Sequence, residues 1–385
     1  GEFMGAQAAF LAPGRGKNSS LLQNQISLVA MAPTGTVACQ YDTPGKDEGC
    51  LKQPRGIHVT ADDKLMVADF ANHCVYQFDS ANKEGKVVAG EAGKILMDID
   101  YLKDIDKPLQ PAEGEGYRLK GPVAVAIDAE GQTMVLDCPP ARVQVFRDVG
   151  GQRQPAVTVM PPPGAPPAKS IGAPETVKSP RAMILESDGS LIVVDTWSHR
   201  ILRFPPVPPD ASRITIPEPP ALLAGTPNST SCAPEKLAFP SSAAFCPDGT
   251  LLVADTNNHR IQRFAVGSTT GTTVAGSATG ERGDGLGQLN MPTGLCVEKD
   301  GSFLVADRAN ARVLRFPSGS RAGNAGAVVA GPELLERPWG LAIGPDNSVY
   351  VSDERKAVVL KLDANSPGPA EVPRPTKAVI SEEMD

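Results

Sequence analysis

The sequence predicts an all-β fold, a six-bladed β-propeller whose ring is closed by an N-terminal strand. Three observations carry that expectation. The stretch "LLVADTNNHRIQRF" (251–264) has five further copies, at 65–78, 133–146, 191–204, 303–316 and 349–362. Each copy lies inside a unit of four short segments rich in Val, Ile, Leu and Phe, bounded by turn residues. The fourth segment occurs six times only if one near the N-terminus is counted with the last unit. A four-stranded unit repeated this often is the pattern of a propeller.

The unit beginning at Met291 shows the four strands in order. "MPTGLCVEKDG" supplies strand a and a turn at Asp300-Gly301, "SFLVAD" strand b, "ARVLRF" strand c, and "AVVAG" (327–331) strand d. The same order starts at Pro54, Pro122, Pro180, Pro240 and Pro338. Strand b always ends in an acid: Asp69, Asp137, Asp195, Asp255, Asp307 and Asp353. The acids stand between 46 and 68 residues apart, a fixed unit with loop insertions of variable length. The last unit has no good strand d after residue 362, whereas "ISLVAM" (26–31) is an orphan of that type. Pairing the two removes an open edge. The chain then divides into a tail (1–25), the propeller (26–364) and a Pro-rich, then acidic, tail (365–385). Gly1-Glu2-Phe3 ahead of Met4 reads as a cloning scar or a trimmed end.

Composition narrows the functional classes. The 385 residues carry a net charge of −7, with 38 Gly and 37 Pro, as a turn-rich globular fold requires. That charge argues against general nucleic-acid binding. No apolar run is long enough to span a bilayer as a helix. Seven cysteines without C-x-x-C spacing indicate neither a disulfide framework nor a zinc ribbon, although Cys39 and Cys50 flank one loop and would pair in an oxidising compartment. The sequons at Asn18 and Asn228 matter only in a secretory lumen. The compartment is left open.

The segment "VADTNNHRIQRF", with "VAGSATGERGDGLGQLNMPTGLCV" after it, resembles the NHL-repeat propellers. Blades 3, 4 and 5 match best. Blade 1 departs with Cys74 at the Arg position, blade 2 with Cys138-Pro139-Pro140 in its loop, and blade 6 with Ala357-Val358 in place of His-Arg. The resemblance implies the fold for residues 26–364. It implies no single function, because the family includes RNA-binding, protein-binding, sensor and enzyme members.

Strand alternation puts the b–c and d–a connections on one face, here the top, together with the long insertions at 91–120, 161–178, 226–238 and 277–290. The Asp column lies there too. A residue needed six times reads as a hairpin fastener, its carboxylate accepting N–H groups of the b–c turn. His73, His199 and His259 share one column and diverge radially, so they do not converge on a metal. The column after the strand-a proline is Arg55, Val123, Arg181, Ser241, Thr293 and Trp339, which should ring the top mouth of the central channel. In the related peptide-amidating lyases, zinc-binding histidines stand in this part of strand a. None is present here, which counts against that chemistry. Arg55, Arg181 and Trp339, with Trp197 in the blade 3 turn, are the candidate partner-binding residues. The competing reading makes them rim residues, with Arg55 stacked on Trp339 of the adjacent blade. His58 reads as a hydrogen-bonded histidine between blades. Residues 94–105 have helical spacing, and "PPPGAPP" (161–167) and "PPVPP" (205–209) read as stiff loops.

No nucleophile–base pair, metal cluster, phosphate loop or redox dithiol stands out, and no cofactor is expected. The sequence therefore favours a non-catalytic scaffold that binds a protein partner through its top face. The alternative is a small-molecule or anion-binding propeller, with lyase and hydrolase chemistry among the options, working at the channel mouth.

Overall fold

The computed structural model describes residues 26–30, 51–79, 85–92, 119–138, 141–149, 152–153, 157–160, 177–206 and 220–362. They form six four-stranded antiparallel sheets arranged as a six-bladed propeller. Strand a to strand d follow in chain order within each of the first five blades. In blade 5 they are Pro292–Val297, Phe303–Asp307, Arg312–Phe316 and Ala327–Ala330. In blade 6, Pro338–Ile343, Val349–Asp353 and Val358–Leu362 are joined by Ile26–Ala30, antiparallel to Val358–Leu362 with an irregularity between Leu28 and Ala30. No described helix is long and apolar enough to cross a membrane. The expected 94–105 helix, the 161–167 loop, most of 205–209, both tails, Asn18 and the Cys39–Cys50 pair lie outside the described residues. The described cysteines, Cys74, Cys138, Cys232, Cys246 and Cys296, are free thiols.

The hydrophobic core is divided among the six seams between blades. Met66, Val75, Val125 and Val135 fill the seam between blades 1 and 2. Leu136, Val143, Leu191 and Val193 fill the next, and Val194, Ile201, Val253 and Phe264 the one after. Leu252, Ile261, Val305 and Phe316 pack blade 4 on blade 5, and Leu304, Val313, Val351 and Leu360 pack blade 5 on blade 6. Val67, Tyr76, Tyr350 and Val359 complete the circle. Period-2 alternation explains this layout: each central strand sends successive side chains to opposite neighbours, so strand b is buried from end to end.

Two features pull the inner strands together. Gly340 lets strand a of blade 6 approach blade 1 so closely that a Cβ there would stand 2.4 Å from the Arg55 carbonyl oxygen. Hydroxyls then stitch neighbouring strands a. The Ser241 Oγ donates toward the Pro292 and Thr293 carbonyls at 3.2 and 3.0 Å. Thr293 Oγ1 donates to the Pro338 carbonyl at 3.1 Å, and Ser352 Oγ to the Arg55 carbonyl at 2.6 Å. On the bottom face Asp188, Asp248, Asp300 and Asp346 each accept the N–H two residues on, closing the tight a–b turns.

Candidate functional site

The Asp column anchors the top face, with donors that differ from the expected ones. The carboxylates mainly accept N–H groups from the segment entering strand a. Lys52 and Gln53 donate to Asp69, Gly121 to Asp137, Lys178 to Asp195, Ala238 to Asp255, Asn290 to Asp307, and Glu336 and Arg337 to Asp353. Among the described residues the b–c turn supplies such N–H donors in blade 6 alone, from Arg355 and Lys356. Asp is long enough to reach across to the incoming chain, where the unmatched donors are. In blade 4, Arg260 completes the anchor: its Nε lies 2.8 Å from Asp255 Oδ2, with both side chains buried. Burial pushes the Asp255 carboxyl upward, and the Ala238 N–H, Arg260 and Asn258 oppose it.

The histidine column links blades. His199 Nδ1 accepts the Phe239 N–H at 3.2 Å, and His259 Nδ1 accepts the Met291 N–H at 3.1 Å. His73 Nδ1 faces the Lys120 carbonyl at 2.6 Å and therefore carries a proton. All three histidines close a 3-10 turn in the left-handed conformation, at φ 57°, 59° and 54°. His58 departs from expectation: it is half-buried, burial lowers its pKa, and it has no side-chain hydrogen bond to the described residues.

The channel mouth brings three of the four candidate binding residues together. Trp339 is buried, at 8% exposure. Guanidinium carbons of Arg55, Arg181 and Arg308 stand 5.0, 5.3 and 5.2 Å from its ring centroid, and Arg55 also covers Phe70 at 3.6 Å. These are cation–π distances. Glu354 pairs with Arg308 and lies 3.6 Å from Arg337. Arg181 makes no side-chain hydrogen bond or ion pair to the described residues, and the Nε atoms of Arg55 and Arg308 are buried without acceptors. Burial lowers the Arg55 pKa to about 10; Glu354 opposes the shift and Arg181 adds to it. Burial lowers Arg181 as well, with Arg308 contributing. Cys138 stands nearby, its thiol pushed up to about 11 by burial, so it is no nucleophile at neutral pH.

Below the mouth, a cavity of about 180 Å³ runs among the strands a, lined by Gly56, Val125, Met183, Ala243, Leu295 and Leu341, with Arg181 and Trp339 also contributing. It is small beside the few hundred Å³ of a typical ligand pocket, so a bound molecule would sit chiefly at the mouth. Trp197 does not join this group. It is 57% exposed and its ring meets Phe239 edge-on at 5.6 Å. Among the described residues no group of three or more His, Cys, Asp or Glu gathers as a metal site.

Sequence reasoning missed Phe70, Arg308 and Glu354. Each immediately follows a strand-b Asp. That column reads Phe70, Cys138, Thr196, Thr256, Arg308 and Glu354, and the 3-10 turn beginning there in blades 1, 3, 4 and 5 sets its direction. Its variation beside a constant Asp was the available signal.

Residues 237–264 and 289–316 match the NHL repeat. No curated protein matches the sequence. Among solved structures, the chain is similar to a gluconolactonase from Xanthomonas campestris, at 16% identity over 82% of this chain and 86% of that one, with a TM-score of 0.51. A second protein assigned as a gluconolactonase matches at 15% identity over 89% and 93% of the two chains, with a TM-score of 0.51. A Bacteroides thetaiotaomicron protein of unknown function matches at 13% identity over 88% and 75%, with a TM-score of 0.52. These likenesses are of fold. They nonetheless correct the expectation of a non-catalytic protein-binding scaffold, since the similar propellers include enzymes. Arg55, Arg181 and Trp339 turn inward on one another, whereas Trp197 is exposed.

Proposed function

For this NHL-repeat propeller we propose a small-molecule site at the top mouth of the central channel that takes an anionic ligand and supports enzyme chemistry. The observation that carries the reading is the convergence of Arg55, Arg181 and Arg308 on Trp339, with Arg181 making no ion pair to the described residues and Glu354 beside Arg308 and Arg337. Guanidinium donors held in a half-buried setting favour an oxyanion, which supplies the acceptors they lack. The same donors would stabilise negative charge developing on a carbonyl oxygen during hydrolysis or elimination. The gluconolactonase likeness makes sugar lactones and the acids they yield the first compounds to try.

The test is calorimetric titration with gluconate, together with a proton-release assay on gluconolactone. Gluconate should bind, and Arg181→Ala should weaken it at least about tenfold, a loss of about 1.4 kcal/mol. The thermal midpoint should stay nearly unchanged, because Arg181 makes no side-chain hydrogen bond or ion pair to the described residues. Undiminished binding in Arg181→Ala would place the ligand elsewhere.

A further inference from the structure

Resting on that reading, we infer that the mouth is built for a doubly charged oxyanion head group, a phosphate monoester, in preference to a single carboxylate. The argument is a charge count within one small site. Three guanidiniums face it, from Arg55, Arg181 and Arg308. Among the described residues Glu354 is the carboxylate in contact with them, and its single charge is paired with Arg308, with the more exposed Arg337 3.6 Å away. The nearby Asp353 is taken up by four backbone N–H groups, from Glu336, Arg337, Arg355 and Lys356. Among the described residues Arg55 and Arg181 have no carboxylate ion-pair partner, on blades 1 and 3, each facing the ring of Trp339. Like charges held together out of water are costly, as the depressed Arg55 and Arg181 show. A monoanion would relieve one of the two cations and leave the other. A dianion matches both, and its oxygens can also accept from the orphaned Nε atoms of Arg55 and Arg308. The narrow cavity below, lined by strand a, leaves the rest of such a ligand directed to the open top.

Two groups at the mouth hold their charge state between pH 5.5 and 8. Arg55 stays charged below about 10, and the Cys138 thiol stays neutral below about 11. A phosphate monoester loses its second proton near pH 6. Its affinity should therefore rise across this range, whereas that of sulfate, doubly charged throughout, should not.

The experiment titrates the full chain with acetate, sulfate and methyl phosphate at pH 5.5 and 8 and fixed ionic strength. At pH 8, methyl phosphate should bind at least about tenfold more tightly than acetate. Methyl phosphate alone should weaken at pH 5.5. Arg55→Gln and Arg181→Gln should each remove most of the preference over acetate; if one of them fails to fold, the other and the pH comparison still decide. Equal affinity for acetate and methyl phosphate would overturn the dianion inference and leave the anion site standing. Binding of none of the three, with gluconate also inert, would overturn both.

Discussion

At the scale of single residues, the repeated Asp has a role that depends on its partner. In blade 4 Asp255 neutralises a buried Arg260, whose Nη atoms also donate to the Cys232, Ala233 and Lys236 carbonyls. In blade 1 the Arg position is Cys74, and Asp69 is held by N–H groups and Asn72 alone. Asp255→Ala should cost about 3–5 kcal/mol, because it strands a buried cation. Asp69→Ala should cost about 1–3 kcal/mol, the price of unmatched donors. Urea denaturation of the two variants measures the difference, and equal losses would show that the ion pair adds nothing to the anchor. This contrast was legible in the sequence, since Cys74 breaks the Arg column. The mouth was legible only by half. Arg55, Arg181 and Trp339 announced themselves as odd residues after a proline. Arg308 and Glu354 did not, because a charged residue beside a turn looks like ordinary surface until the fold brings the two into contact.

At the scale of elements, strands and blades followed from period-2 alternation and the prolines, since a buried strand b leaves little choice of register. The seams between blades did not, because they depend on side chains reaching between non-consecutive strands. His199 and His259 show this. Both accept a backbone N–H from the next blade, and burial lowers both pKa values, with Thr196 opposing at His199 and Arg282 assisting at His259. A histidine with a lowered folded pKa binds fewer protons folded than unfolded. Its contribution is complete above the unfolded value of 6.5 and is lost as pH falls through the folded value. Thermal midpoints measured from pH 8 to 5 should fall more steeply for the native chain than for His199→Asn/His259→Asn. Parallel curves would remove these histidines as the source. Asp69, Asp195, Asp255 and Asp307, whose carboxyls burial shifts upward, act in the opposite sense, which is why the comparison is made against the variant.

At the scale of the whole molecule, the ring is a set of six seams, and every blade must find two neighbours. The strand Ile26–Ala30 lies on the outer edge of blade 6, against Val358–Leu362. Deleting residues 1–31 would expose that edge. The expected result is a lower unfolding midpoint or loss of soluble monomer in size-exclusion chromatography. An unchanged midpoint would mean that the ring closes without this strand. The circular arrangement also explains why a chain of low resemblance to others keeps its shape. Each seam buries its own apolar cluster, so the fold tolerates wide change in the loops and in the two columns at the mouth.

The hydroxyl stitches among the inner strands are distributed unevenly. They cross from blade 4 to 5, from 5 to 6 and from 6 to 1, through Ser241, Thr293 and Ser352. Among the described residues no inner-strand hydroxyl makes such a stitch across the other three seams, where Val123 occupies the blade 2 position and Ser179, ahead of strand a in blade 3, meets the Cys138 side chain. Mechanically the ring is then a stiff arc joined to a compliant one, and it should flex about blades 2 and 3. Amide exchange in strand a of blades 2 and 3 should outpace that in blades 5 and 6, and uniform exchange would show an evenly rigid ring. Arg181 rides on the compliant arc, while Arg308, Trp339 and Glu354 belong to the stiff one. On that expectation the mouth is a jaw whose one side yields more readily than the other.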